Sequence, residues 1–332
     1  MTATEATPAL EIPARVIPVP ASISPQAQAY LASPAVPSAG YPPRADLAAW
    51  RAMIASMDKL ILAHLNGVNT GGAAVEHLAI DDTGVFAISP PNAHPRDRRV
   101  CLDVHGGGLI IGGGEVCRAA GIFAATRFAM HTWSVDYRMP PDHPYPVGLD
   151  DCVAAYRALL KRRQPSEIVI GGVSAGANLA AALILRARDE GLPRPAAAIL
   201  LTPQLDLTES GDSFRTNLGV DTVLKHGTRP ANVLYANGHD LADPYLSPLF
   251  GDFSAGFPPT LLASGTRDLF LSNAVRMHQA LRAVGVTADL HVLEAAPHGL
   301  LPGTPEDENL LKQVRAFIDA HCQADPPPPG SA

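Results

Sequence analysis

A serine between two glycines is the first feature of this sequence that could do chemistry. Gly172-Val173-Ser174-Ala175-Gly176 directly follows the apolar run Ile168-Val169-Ile170 and precedes an alanine-rich stretch that extends to about Arg188. A strand that turns sharply into a helix needs small residues beside the turn, and it exposes the serine at the apex. The helix N-terminus also directs unpaired N–H groups and a positive dipole towards that hydroxyl. The spacing predicts that Ser174 is a nucleophile, although the pentapeptide alone is equally compatible with a structural turn.

A second glycine-rich segment lies upstream of this serine. Val100-Cys101-Leu102-Asp103-Val104 has the pattern of a buried strand, and it ends in His105-Gly106-Gly107-Gly108. Glycines allow successive backbone N–H groups to face one cavity, as stabilisation of a carbonyl oxyanion requires. A flexible loop is the alternative, and Gly112-Gly113-Gly114 could be only that. The two motifs in this order, each after a strand, favour an acyl-transfer enzyme.

A serine hydroxyl needs a base to accept its proton, and that base needs a third group to orient it. Functional residues of a parallel α/β sheet lie beyond the carboxyl ends of its strands, so both partners are expected after late strands. Asp268 follows a predicted strand at 260–264, and His298 follows one at 289–293. The order serine, aspartate, histidine is that of α/β-hydrolases. Asp206, which follows an earlier strand, is the alternative acid.

Apolar periodicity predicts the elements that must position these residues. Strands are predicted at 75–80, 85–89, 99–104, 132–137, 167–172, 197–201, 260–264 and 289–293. Helices are predicted at 46–65, 118–130, 149–163, 175–188, 221–224, 229–237, 273–284 and 306–322. Such alternation is typical of an α/β fold, here with a mostly parallel eight-stranded sheet flanked by helices.

The alternation of strands and helices stops between 204 and 257, and this stretch is too long for a simple connection. The sequence therefore predicts a cap insertion at 204–257, together with an N-terminal arm and cap helices at 1–65. The catalytic domain is expected at 66–203 and 258–325. The proline-rich tail 326–332 is expected to be disordered.

Composition excludes several classes of function. Of 332 residues, 47% are hydrophobic and 17% are charged, as in globular proteins, and the net charge of -7 provides no basic surface for nucleic acid. No secretory signal and no membrane span are apparent, so a cytoplasmic location is expected. The four cysteines lack Cys-X-X-Cys spacing, and the glycine segments lack the pattern of a phosphate or dinucleotide loop. Neither a metal nor a cofactor is expected.

Five motifs together resemble the hormone-sensitive-lipase family of bacterial carboxylesterases, also called family IV. They are His105-Gly106-Gly107-Gly108, Val135-Asp136-Tyr137-Arg138, Pro141-Asp142-His143-Pro144-Tyr145-Pro146, Gly172-Val173-Ser174-Ala175-Gly176-Ala177-Asn178-Leu179 and Ser264-Gly265-Thr266-Arg267-Asp268. The resemblance implies an α/β-hydrolase fold with a helical cap. It also implies the following roles: nucleophile Ser174, base His298, orienting acid Asp268, and oxyanion N–H donors Gly107, Gly108 and Ala175.

A serine carboxylesterase that hydrolyses small to medium acyl esters through an acyl-enzyme is the function expected from this resemblance. A lactonase or an amidase would use the same residues, so these reactions stay open. Plant gibberellin receptors resemble the family but lack the catalytic histidine, whereas His298 is present here. An exposed last strand could also pair across a two-fold axis and form a homodimer.

Candidate substrate-binding residues come from the glycine-rich segment and from the predicted cap. They are Leu109, Phe214, Leu218 and Tyr235, with Val220 and Leu224 as further pocket walls. Ordinary packing of the cap is the alternative, because apolar residues of a cap helix must bury one face in any case.

Overall fold

Eight strands form one sheet in the computed structural model, which describes residues 10–33, 40–66, 72–94 and 96–322. The strands are β1 (Ala74–Ile80), β2 (Thr83–Ser89), β3 (Val100–Val104), β4 (His131–Asp136), β5 (Ile168–Val173), β6 (Ala197–Leu201), β7 (Thr260–Gly265) and β8 (Ala288–Leu293). Their order across the sheet is β1-β2-β4-β3-β5-β6-β7-β8. β2 is antiparallel to both β1 and β4, and the other neighbouring pairs are parallel. The predicted eight-stranded, mostly parallel sheet is confirmed.

Helices cover both faces of the sheet. They are α1 (Pro25–Ala32), α2 (Leu47–Asn66), α3 (Glu115–Phe128), α4 (Val147–Leu160), α5 (Ala175–Asp189), α6 (Ser213–Thr216), α7 (Arg229–Ala236), α8 (Leu271–Ala283) and α9 (Pro305–His321). Residues of α4, α5 and α8 share one large core with the sheet, while α3 and α9 pack on the opposite face. No helix among the described residues combines the length and the apolar character needed to cross a bilayer.

Strand β5, at the centre of the sheet, is apolar on both of its faces, which explains the continuous hydrophobic run Ile168-Val169-Ile170 in the sequence. In β5, the side chains of Ile168 and Ile170 enter one core, whereas Val169 enters the core on the other face. All three side chains are fully buried. Parallel strands covered by helices on both faces show this pattern. Because β5 is packed on both faces, the position of its carboxyl end is fixed, and Ser174 begins the turn into α5 at that end.

The sequence pattern did not predict α1. This helix begins after Ser24, whose hydroxyl accepts a hydrogen bond from Ala27 N at 3.1 Å, and it has a proline in its first turn. Both features are typical of helix N-termini. The helix has only eight residues, and it packs on the segment that follows β8. The apolar contacts join Ile23, Ala27 and Leu31 to Ala295, Ala296 and Leu301.

The predicted short helix at 221–224 is wrong. The Asp221 carboxylate accepts hydrogen bonds from Val223 N at 2.9 Å and Leu224 N at 3.1 Å, and the segment forms a bend. An aspartate that binds the next backbone N–H groups offers them an alternative to helical hydrogen bonds. The other predicted helices are present with ends shifted by a few residues.

The predicted cap contains α6, α7 and a 3-10 turn at Pro248–Phe250, and it has no strand among its described residues. A buried apolar cluster joins α2 and α7 to the segment after β3, through Trp50, Ile110, Ala231 and Leu234. The division into a catalytic domain and a cap stays a prediction. The predicted tail 326–332 and the first nine residues of the predicted arm lie outside the described residues.

Candidate active site

Ser174 lies at the turn between β5 and α5 with φ 59° and ψ -120°. This backbone conformation is costly for a residue other than glycine, and such conformations persist only where the surrounding structure imposes them. Gly176 shows how tight the turn is, because a Cβ atom there would lie 1.9 Å from Val104 O. Ser174 N also donates a hydrogen bond to Leu201 O at 2.9 Å. The turn is therefore braced by both strands that neighbour β5.

Three side chains from the ends of three strands meet at this turn. His298 Nε2 lies 2.8 Å from Ser174 Oγ, and His298 Nδ1 lies 3.1 Å from Asp268 Oδ1. Asp268 is fully buried, and His298 is 7% exposed. When Nδ1–H donates to the carboxylate, Nε2 is left as an acceptor for the serine proton. The arrangement has the connectivity of a nucleophile, a base and an orienting acid.

The Asp268 carboxylate is held by donors other than the histidine. Oδ2 accepts a hydrogen bond from Ser264 Oγ at 2.7 Å, and Oδ1 accepts one from Phe270 N at 2.9 Å. The Phe270 ring also packs edge-on against the imidazole of His298, with a centroid distance of 4.8 Å. These contacts fix the carboxylate and the imidazole in one relative orientation.

The loop that carries the acid and the loop that carries the base are bonded to each other. Arg267 N donates to Ala296 O at 3.1 Å, and Ala295 N donates to Thr266 Oγ1 at 2.8 Å. The two loops follow β7 and β8, which are neighbours in the sheet. The parallel register of these strands therefore brings Asp268 and His298 together.

Asp206, the alternative acid, lies in a different environment. Its carboxylate is fully buried and accepts hydrogen bonds from Thr208, Ser210 and Arg276. Burial alone would raise the pKa of Asp206, but the donors outweigh it and hold the pKa below its ordinary value. The geometry favours Asp268 because that residue contacts His298.

The glycine segment after β3 lies against the serine turn. A Cβ atom on Gly107 would lie 2.0 Å from Ile111 O, and the φ of Gly107 is +125°, so this position requires glycine. Among the described residues, none accepts a hydrogen bond from the backbone N–H of Gly107, Gly108 or Ala175. Unpaired N–H groups at a helix N-terminus and in an adjacent loop are suitable donors to a developing oxyanion.

His105 braces this segment. Its ring stacks on Tyr137 at a centroid distance of 4.2 Å, and its Nδ1 lies 2.8 Å from Gly106 O. Tyr137 Oη donates to His105 O at 3.0 Å. Burial lowers the pKa of His105, so its imidazole is held neutral. The residue therefore supports the glycine segment through its contacts with Gly106 and Tyr137.

Two carboxylates hold the following glycines, Gly112 and Gly114. Gly112 N donates to Asp58 Oδ1, and Gly114 N donates to Asp136 Oδ1, both at 2.8 Å. Burial raises the pKa of Asp58, and the bond from Gly112 opposes that rise. The sequence analysis did not single out Asp58. Its signal is a carboxylate on the apolar face of α2, four residues after Ile54.

One group of possible metal ligands occurs among the described residues. The ligand atoms of His105, Cys117 and Asp136 lie within 4.8 Å of one another. Burial raises the pKa of the Cys117 thiol well above its ordinary value, and metal binding requires the thiolate. In this arrangement His105 Nδ1 already faces Gly106 O, and Asp136 Oδ1 already accepts a hydrogen bond from Gly114 N, so two of the three groups have partners within the protein.

The predicted substrate-binding residues lie in different environments. Leu109 is fully buried, whereas Leu218 is 47% exposed. Phe214 packs against Phe270, the ring that contacts His298, with a centroid distance of 5.5 Å. Tyr235 is buried in the main core beside Tyr145. Phe214 is thus close to the triad, while Tyr235 has the surroundings of a packing residue. Of the further pocket walls, Val220 is partly buried and Leu224 packs against the Phe214 cluster.

The sequence matches a family model described as the alpha/beta hydrolase fold over residues 101–302. An esterase of Acinetobacter venetianus is 37% identical over 184 residues, which are 54% of this chain and 60% of the relative. An acetyl-hydrolase of Streptomyces hygroscopicus is 31% identical over 231 residues, which are 67% of this chain and 76% of the relative. The chain thus spans about 60% of the length of the Acinetobacter esterase.

Solved structures give a similar result. The crystal structure of esterase E25 superposes with a TM-score of 0.86 and 34% identity, covering 95% of this chain and 99% of that chain. An esterase described as from the bacterial hormone-sensitive lipase family gives a TM-score of 0.74 and 29% identity, covering 86% of this chain and 100% of that chain. The chain therefore belongs to the hormone-sensitive-lipase family of carboxylesterases, within the α/β-hydrolase fold.

Proposed function

We propose that the protein is a serine esterase that hydrolyses small to medium acyl esters through an acyl-enzyme. The observation that carries this proposal is the continuous set of contacts from Ser174 Oγ through the His298 imidazole to the Asp268 carboxylate. The names of the relatives support ester hydrolysis as the reaction class. A lactonase or an amidase would need the same groups, but no observation favours either over an esterase.

In the first half of the reaction, Ser174 Oγ attacks the ester carbonyl carbon while His298 Nε2 accepts the serine proton. The Asp268 carboxylate stabilises the imidazolium that forms. The carbonyl oxygen becomes an oxyanion, and the N–H groups of Gly107, Gly108 and Ala175 donate to it. The N-terminus of α5 adds a positive dipole at the same point. The bond to the alcohol then breaks, and the alcohol leaves with the proton from His298.

In the second half, water replaces the alcohol. His298 Nε2 accepts a proton from the water, and the resulting hydroxide attacks the acyl carbon bound to Ser174. The same N–H groups stabilise the second oxyanion. The acid is released as the serine recovers its proton from His298, so the enzyme returns to its starting state.

The proposed acyl length rests on the surroundings of the triad and on one relative. The Phe270 ring packs edge-on against His298, and the Phe214 ring packs against Phe270, so apolar groups lie next to the triad. One relative is named an acetyl-hydrolase. Apolar rings next to the triad suit the apolar part of an ester, and the name of this relative supports a short acyl chain.

The test is rapid mixing of the protein with p-nitrophenyl acetate and p-nitrophenyl butyrate. We expect a burst of nitrophenol with an amplitude that approaches one per protein molecule, if deacylation is the slower step, followed by steady turnover. Ser174→Ala should abolish both phases. Ser254→Ala is the matched control, because Ser254 is exposed and its hydroxyl donates a hydrogen bond to Asp252, two residues away.

Two results would contradict the proposal. Turnover that survives in Ser174→Ala would place the nucleophile elsewhere. Tight binding of an ester without any release of nitrophenol would instead indicate a receptor on the same fold. Parallel assays with a lactone and an anilide would show whether the ester is the preferred substrate.

A further inference from the structure

Asp221 is a buried carboxylate in the predicted cap whose hydrogen bonds all come from backbone N–H groups. It is 1% exposed. Its donors belong to Val223, Leu224, Leu269 and His298. Among the described residues, no lysine or arginine forms an ion pair with it. Within the part of the chain that the structure describes, backbone N–H groups thus satisfy the acceptor oxygens of this buried carboxyl group.

Two of these donors belong to the loops that carry Asp268 and His298. Leu269 N, which follows Asp268 in the chain, donates to Asp221 Oδ2 at 2.9 Å. His298 N lies 3.2 Å from the same oxygen and 3.3 Å from Oδ1. One carboxylate thus holds the backbone of the base itself and the backbone next to the acid.

Asn217 reinforces the same connection from the preceding turn. Its Nδ2 donates to Asp268 O at 2.8 Å and to Thr266 O at 3.2 Å. Its own carbonyl oxygen accepts a hydrogen bond from Asp221 N at 3.0 Å. The segment 217–221 therefore binds both N–H and C=O groups of the loop that carries Asp268, in addition to the N–H of His298.

We propose that Asp221, supported by Asn217, is a positioning residue that sets the relative placement of His298 and Asp268. This inference rests on the proposed ester hydrolysis. The His298 side chain must meet Ser174 on one side and Asp268 on the other, so a small movement of its backbone changes both distances. Errors of about 1 Å in such an arrangement reduce rates by about 100-fold. The same contacts make the triad geometry depend on the packing of the predicted cap.

Asp221→Asn is the most direct perturbation. The amide has nearly the same shape, but one acceptor oxygen becomes an NH₂ group that faces backbone N–H donors. We expect kcat to fall by about 10- to 100-fold, with KM changed by less than about threefold, because the contact is made to the triad and not to the substrate. Asn217→Ala keeps the carboxylate and should give a smaller loss, of about three- to tenfold in kcat.

Asp206→Asn is the matched control. Asp206 is also a fully buried carboxylate in the predicted cap, but its donors belong to Thr208, Ser210 and Arg276. This variant should lose stability and keep kcat within about twofold when it is assayed well below its unfolding temperature. The kcat of each variant is measured at the same number of degrees below its own melting temperature. A loss of kcat caused by misplaced triad residues is then distinguished from one caused by general destabilisation.

A second measurement does not depend on turnover. The proton shared by His298 Nδ1 and Asp268 should give a low-field proton resonance, assigned by its loss in His298→Ala. We expect the resonance to shift or broaden in Asp221→Asn and Asn217→Ala, and to be unchanged in Asp206→Asn. If Asp221→Asn does not fold, Asn217→Ala carries the test by both measurements.

The results of these experiments distinguish the proposed ester hydrolysis from the proposed positioning role of Asp221. A wild-type protein that cleaves no ester would contradict the proposed function, and the resonance would still test the role of Asp221. Wild-type turnover together with unchanged kcat and an unchanged resonance in the folded Asp221→Asn and Asn217→Ala variants would overturn the positioning role alone. Equal kcat losses in Asp221→Asn and Asp206→Asn would also overturn it.

Discussion

Asp103 is a buried carboxylic acid near the carboxyl end of strand β3, and replacing it with asparagine is expected to stabilise the protein at alkaline pH. The residue is 6% exposed, and its Oδ2 accepts a hydrogen bond from Ser134 Oγ at 2.9 Å. Burial raises the pKa of Asp103 from 3.8 to about 6, and the bond from Ser134 opposes this rise only in part. The folded protein therefore disfavours the ionised form, which an asparagine cannot adopt.

The magnitude follows from the difference between the folded and unfolded pKa values. About two pKa units at about 1.4 kcal/mol each correspond to about 3 kcal/mol. Because the folded state retains the proton to a higher pH than the unfolded state, this contribution is fully present below about pH 4. It is lost as the pH rises through about 6, and wild-type stability falls in that window.

The assay is urea unfolding of the wild type and Asp103→Asn at pH 5 and pH 8. The free energy of unfolding of Asp103→Asn, taken relative to that of the wild type, should be about 1 to 2 kcal/mol higher at pH 8 than at pH 5. Asp206→Asn is the control, since a folded pKa below the ordinary value leaves Asp206 ionised in both states above pH 5. Its effect should be the same at both pH values. If the difference in free energy of unfolding between Asp103→Asn and the wild type is the same at pH 5 and pH 8, the reasoning is refuted.

Two further substitutions test the loop and the packing around the site. Gly107→Ala places a Cβ atom 2.0 Å from Ile111 O at a φ of +125°, so the glycine segment must move and kcat for p-nitrophenyl butyrate should fall at least about 100-fold. A kcat within about fivefold of the wild type would contradict this role. Arg127→Leu leaves the Asp307 carboxylate, which is 1% exposed, without the two hydrogen bonds that the Arg127 guanidinium donates to it from α3. Urea unfolding should show a loss of about 3 kcal/mol, and a loss below about 1 kcal/mol would contradict it.

Local patterns in the sequence predicted most of the fold and the residues proposed for catalysis. Strands β5, β6 and β7 are recognisable because each is a short, mostly apolar run, and strands buried on both faces need such runs. The serine turn is recognisable because its backbone requires small neighbours within the same few residues. Asp268 and His298 could be selected because parallel strands place their following loops at one edge of the sheet.

Local patterns failed where a few residues have two competing conformations. The segment 221–224 has apolar residues suited to a helix turn, but the Asp221 side chain takes the N–H groups that a helix would use. The helix α1 was missed because its eight residues are too few for a clear periodicity. Its burial against the loop of His298 supplies the stability that its own sequence lacks.

The sequence by itself determined the order of the strands along the chain, the sharp turn at Ser174 and the residue types available for the chemistry. Only the tertiary structure decided that β4 lies between β2 and β3, because the apolar alternation of a strand does not specify its neighbour. It also decided the distant partners of Asp221, the N–H groups of Leu269 and His298, which lie 48 and 77 residues further along the chain. Contacts between such distant segments form only when the whole sheet is assembled, so no local pattern encodes them.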